Sequence, residues 1–91
     1  MEYEFDSAKE NRNIAERGLS LALAPLVFED LVHIADDDRR DYGERRQVAY
    51  GRIDGRLFVC VFTDRGEVRR IISLRRANSR ERRAYDPQDH S

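Results

Sequence analysis

Residues 47–75 read as three strands in series, and no other part of the chain restricts the fold as much. Gln47–Ile53 is the first strand pattern. Asp54–Gly55 follows as a two-residue hairpin turn, a pair suited to the positive backbone angles such turns need. Leu57–Thr63 (LFVCVFT) is apolar on both faces, so it belongs in the middle of a sheet. Arg65–Gly66 makes the next turn, and Val68–Arg75 is the third strand. Strands joined by turns this short can only pair antiparallel.

The rest of the chain supplies cover for that meander. Tyr3 and Phe5 alternate with polar residues, as in a short first strand. Asp6 offers an N-cap for a helix over Ser7–Glu16 whose apolar residues are sparse, and Gly18 fits its stop. Ser20 caps a second helical stretch running through Asp30. Pro25 inside it must kink that helix or make it start near Pro25. Leu31–Ala35 reads as another strand and Asp36–Gly43 as a charged loop. Asn78 or Ser79 caps a last helix, Arg80–Tyr85, and residues 86–91 read as a frayed tail. The expected fold is a single α+β domain over residues 1–91. It has an antiparallel sheet of three to five strands, two N-terminal helices and a short C-terminal one. One sheet face needs the helices; the other is open to water or a ligand.

Composition narrows the chemistry. Of the 91 residues, 40% are apolar and 38% charged, so the core is narrow and most side chains meet water or a partner. One cysteine, Cys60, rules out an internal disulfide and a cysteine-rich metal site, and its apolar neighbours predict a buried, inert thiol. No segment has the roughly 20 apolar residues of a membrane span. The acidic N-terminus does not read as a signal peptide. These features point to a cytoplasmic chain. The net charge of −1 hides an asymmetry: residues 1–44 carry 12 acids and 5 bases, while residues 45–91 carry 12 arginines and 6 acids. Either the molecule has a basic working face, or the charges interleave as surface pairs.

No Ser-His-Asp or Cys-His set, Gly-rich phosphate loop or metal-ligand cluster occurs. The three aspartates Asp36–Asp38 lack spaced companions for a cation. His33 reads as structural, and His90 lies in the tail. What stands out is Arg65–Tyr85, an arginine-laced strand and helix without lysine. Strict alternation puts Arg69, Ile71, Ser73 and Arg75 on one face and Val68, Arg70, Ile72, Leu74 and Arg76 on the other. This is either a row of phosphate contacts or edge-strand charge that deters aggregation. Glu44 enters a strand at the sheet rim. A reaction within reach of arginines, a carboxylate and a tyrosine is RNA cleavage by its own 2′-hydroxyl, where the substrate brings the nucleophile.

The chain also resembles the BrnT family of bacterial toxins. The resemblance is carried by Phe5-Asp6 with Lys9, Gly18-Leu19-Ser20, Val27-Phe28-Glu29-Asp30, and Asp41-Tyr42-Gly43-Glu44 with Arg46. It continues in Gly51, Asp54-Gly55-Arg56-Leu57, Val59, Val61, Thr63, Arg70-Ile71-Ile72-Ser73, Arg75, Ala77, Arg80-Glu81, Arg83 and Tyr85. It implies a RelE-like fold and a type II toxin–antitoxin ribonuclease that blocks translation. It also implies a BrnA-like antitoxin whose ribbon-helix-helix domain, not the toxin, binds operator DNA. Arg40 stands near a place where the family loop often has a histidine. On this footing Arg65, Arg75, Arg76 and Arg83 are the candidates for phosphate and transition-state charge, and Glu44 and Tyr85 for proton handling or orientation. No metal or cofactor is expected. The alternative is a catalytically degenerate module that binds the antitoxin as a co-repressor; an RNA-binding domain without catalysis is a third reading.

Overall fold

Asp54 and Gly55 both take positive φ, 55° and 77°, the backbone shape that joins twisted strands in a two-residue hairpin. That turn links β3 (Gln47–Ile53) to β4 (Arg56–Arg65), and Gly66, at φ 61°, lies in the turn from β4 to β5 (Val68–Arg76). In the computed structural model residues 1–39, 41 and 43–89 are described; Arg40, Tyr42, His90 and Ser91 lie outside them. The meander gains two flanking strands, β1 (Glu2–Glu4) and β2 (Leu31–Asp36), giving the order β1-β5-β4-β3-β2. β4 is central, as its two-sided apolar pattern requires. The antiparallel ladder expected from the sequence runs from β2 to β5. β1 adds a parallel edge, with Tyr3 opposite Arg69.

Helix α1 (Ser7–Arg17) starts at Asp6, whose carboxylate accepts from the Lys9 amide at 2.7 Å, and ends at Gly18 with φ 70°. The second helical stretch is divided. A 3-10 turn, Leu21–Leu23, follows the Ser20 cap, and α2 is Ala24–Glu29. Pro25 lies in the first turn of α2, where a missing N–H breaks no helical bond. α3 (Ser79–Tyr85) opens on a capping box between Asn78 and Glu81. Among the described residues no helix is long and apolar enough to cross a membrane.

One irregularity decides which way the arginines point. Val61 pairs with Ser73 and Phe62 with Ile71, so Ile72 is an extra, unpaired residue in β5. The strict alternation predicted for this strand therefore inverts at Ile72. Ile71 and Leu74 both enter the core beside Cys60 and Phe62. Arg69 and Arg76, opposite Asp64 and Phe58, share that helix-covered face. Arg70, Ser73 and Arg75 face the other way. The expected row of arginines along one face is thus broken up. Arg69 lies over the rings of Phe28 and Phe62, at 4.4 and 4.5 Å, with its fork on Asp64. Arg70 bonds Glu4 and Asp6 and ties down β1.

The main core lies between the sheet and the segment Leu21–Val27, with Phe62 as its largest fully buried side chain. Cys60 is fully buried there, and burial pushes its thiol up to about 12. α2 presses so closely on β3 that a Cβ on Gly51 would collide with the Val27 carbonyl group. Gly51→Ala is therefore expected to destabilise the fold by about 3 kcal/mol. An unchanged denaturant midpoint would show instead that α2 withdraws freely.

α1 docks by polar contacts. Asn13 is buried, and its amide donates to Leu74 O and Leu19 O, both at 2.9 Å, while its oxygen accepts from Leu74 N at 3.1 Å. Glu10 completes the joint by accepting from Ser20 Oγ and Leu21 N, both at 2.7 Å. Sparse apolar residues in α1 are the consequence of this docking mode.

Candidate nucleic-acid interface

The sheet face opposite α2 is partly covered at one end by α3. There Leu57, Val59 and Ala77 form a second small cluster, with Val48, Tyr50 and Tyr85 packed against it. The remainder is a cleft of about 370 Å³, floored by Val59 and Val61 and bounded by Arg75, Glu81 and the loop Asp36–Arg39.

Arg75 is an ordered cation of this cleft. Its two terminal nitrogens donate to the two Glu81 oxygens at 2.8 Å each, and Nη1 also reaches Arg76 O at 3.2 Å. Glu81 Oε1 accepts in addition from Asn78 N at 2.8 Å, within the α3 capping box. One carboxylate thus fixes both the start of α3 and the plane of the guanidinium. The bond to Arg75 holds the Glu81 carboxyl below its usual range despite partial burial, and Glu81 raises Arg75 in turn. The Nε–H and one Nη2 N–H of Arg75 are left for a ligand, two donors in one plane, which suits a phosphate.

Three rings adjoin this clamp. His33 and Tyr50 are cross-strand neighbours on β2 and β3. Tyr85 lies over both, 4.3 Å from the Tyr50 ring and stacked on His33 at 5.0 Å and 16°. Burial, then the nearby Tyr85, raises the Tyr50 hydroxyl above its ordinary value, so it stays protonated and can donate.

The remaining candidates lie elsewhere. Glu44 accepts from Arg65 at 3.1 Å, and that hydrogen bond is the largest cause of its lowered pKa. Arg65 ends β4, whereas Arg75 pairs with Val59; six residues of strand separate them, roughly 20 Å. Arg76 is on the opposite face, over the Phe58 ring at 5.1 Å. Arg83 is exposed on α3 and among the described residues makes no ion pair. The structure therefore brings together Arg75 and Tyr85, and separates from them Glu44, Arg65 and Arg76. In the loop, Asp36 and Asp37 are engaged by Arg45 and Arg39, at 2.9 and 2.8 Å.

Sequence reasoning passed over Tyr50, Glu81 and His33. The signal for Tyr50 was the Asp54–Gly55 turn. Counting outward from it sets Tyr50 against Val59, whose other neighbour is Arg75. The signal for Glu81 was its place three residues after Asn78.

A family described as ribonuclease toxin, BrnT, of type II toxin-antitoxin system matches residues 5–81, from the residue after β1 to Glu81. No curated protein matches the chain.

Proposed function

The chain belongs to the BrnT family of ribonuclease toxins of type II toxin–antitoxin systems, and we propose that its open sheet face is where RNA is cut. The observation that carries this reading is the Arg75–Glu81 clamp beside Tyr50, Tyr85 and His33. The reaction is an attack of the RNA 2′-hydroxyl on the adjacent phosphorus. The P–O bond to the next 5′-oxygen breaks, leaving a 2′,3′-cyclic phosphate and a 5′-hydroxyl. Arg75 holds a non-bridging oxygen and offsets the charge that grows on the phosphorane. The rings orient the flanking bases. In this reading Tyr85 and the His33 imidazole take the 2′-hydroxyl proton and protonate the leaving oxygen. Glu44 with Arg65 lies at the far end of β4 and Arg76 on the other face, so this reading leaves them out of the contacts to that phosphate.

The reaction needs no metal. Purified protein is expected to cleave single-stranded RNA at an undiminished rate in EDTA, with cyclic-phosphate ends on the products. Activity abolished by chelation and restored by a divalent cation would overturn that mechanism. In the cell the consequence is arrested translation, relieved by a BrnA-like ribbon-helix-helix antitoxin that carries the operator-binding function.

A second reading draws on the same clamp. Glu81 and Arg76 O already occupy three of the five Arg75 N–H groups. A degenerate module kept only for antitoxin binding would have such a self-satisfied arginine. Expression of the chain alone in a bacterium separates the two: growth arrest supports the nuclease, and normal growth at confirmed levels supports the module.

A further inference from the structure

A second cleft, of about 350 Å³, abuts the first and shares Arg17 and Ser73 with it. Its far wall is α1. Lys9, Arg12, Asn13, Glu16 and Arg17 all line it, at the i, i+3, i+4, i+7, i+8 spacing of one helical stripe. Asn13, in the middle, pins the stripe to β5 through Leu74. Three of the five bases in the acidic N-terminal half are thus gathered on one line, beside a single acid, Glu16. Lys9 to Arg17 spans roughly 12 Å of helix. Arg12 and Arg17 are exposed and, among the described residues, make no ion pair.

Helix electrostatics do not account for this stripe. Arg17, in the last turn, complements the dipole. Lys9, in the first turn where the dipole disfavours a cation, is offset by the Asp6 carboxylate of the cap, but neither the dipole nor the cap accounts for Arg12, mid-helix on the same line. A negatively charged ligand in the cleft does account for it. We infer that the α1 stripe is a phosphate-backbone track that carries a single RNA strand from the open sheet face along the side of the molecule. A single strand fits better than a duplex, since the track leads to stacked rings that take unpaired bases. The inference rests on the proposed RNA site but uses different residues.

The test uses the full chain and a fluorescent ten-nucleotide RNA, made uncleavable by 2′-O-methylation, with binding followed by anisotropy across a salt series. Arg12→Ala with Arg17→Ala is expected to weaken binding about tenfold. It should also flatten the dependence of log K on log salt by about 0.7 for each phosphate that the variant no longer neutralises. Arg12→Lys with Arg17→Lys should restore most of the slope. Arg56→Ala with Arg80→Ala, which removes the same charge outside the track, should leave the slope unchanged, and thermal melts check that each variant folds. Equal slopes in the α1 variant and the unchanged protein would overturn the track even if RNA is cleaved. So would a variant that loses only antitoxin neutralisation, since the stripe would then be a protein-binding face. An α1-dependent slope in a protein that cuts no RNA would keep the track and sink the proposed nuclease instead.

Discussion

Arg75→Ala is expected to lower the rate of RNA cleavage by about 10²–10³-fold, the usual cost of removing a donor aimed at transition-state charge. The loss should appear in single-turnover rates at saturating RNA, because the interaction strengthens as the phosphorane forms. Arg75→Lys keeps the charge but cannot hold both Glu81 oxygens and a phosphate in one plane, so it should recover only part of the rate. A melting curve run alongside distinguishes chemistry from folding, since Arg75→Ala also leaves the partly buried Glu81 without its cation. Wild-type rates in Arg75→Ala would remove the open face from the reaction and return attention to the Glu44–Arg65 pair at the far end of β4.

Asn13→Leu should have the largest effect on stability of any substitution in α1. Leucine matches asparagine in size but leaves Leu74 N–H, Leu74 C=O and Leu19 C=O without their partner. A buried group orphaned in this way costs about 1–3 kcal/mol, so a loss of about 3 kcal/mol or more is expected in denaturant unfolding. Asn13→Asp should be similarly damaging near neutral pH, because a carboxylate would face two carbonyl oxygens. It should recover partly on acidification, when the protonated acid can donate to one of them. An unperturbed midpoint in Asn13→Leu would mean that water replaces the amide without cost and that α1 is held by other contacts.

Much of the frame was legible because it rests on local rules. The Asp54–Gly55 turn, the Asp6, Ser20 and Asn78 caps and the Gly18 stop each follow from a neighbour or two, and each stands where the sequence predicts. The two-sided apolar run of β4 predicted its central place. The parallel pairing of β1 was not legible, since it sets residues 2–4 beside residues 68–70 and no local connection links the two strands. Nor was the role of Asn13, which looks like any polar residue on a polar helix until Leu74 is set against it. Of the candidate site, Arg75 and Tyr85 were found as members of a basic segment. Their company was not, because Glu81 reaches Arg75 from another element and His33 reaches Tyr85 across two.

The extra residue in β5 has a consequence for how this chain can vary. A strand with one phase of alternation must give a whole face to one purpose. β5 has two phases, joined at Ile72 like two reading frames, and its nine residues are read in both. Before the shift, odd positions such as Arg69 and Ile71 serve the core; after it, even positions such as Leu74 and Arg76 do. That is why Arg75 and Arg76, adjacent in the chain, work on opposite sides of the sheet. Taking Ile72 into the ladder as a paired residue would swap them, turning Arg75 toward the apolar layer and Leu74 toward the cleft, whereas deleting residue 72 would leave both where they are. The spacing of this strand, more than its composition, is therefore what ties the packing of the molecule to the position of its working arginine.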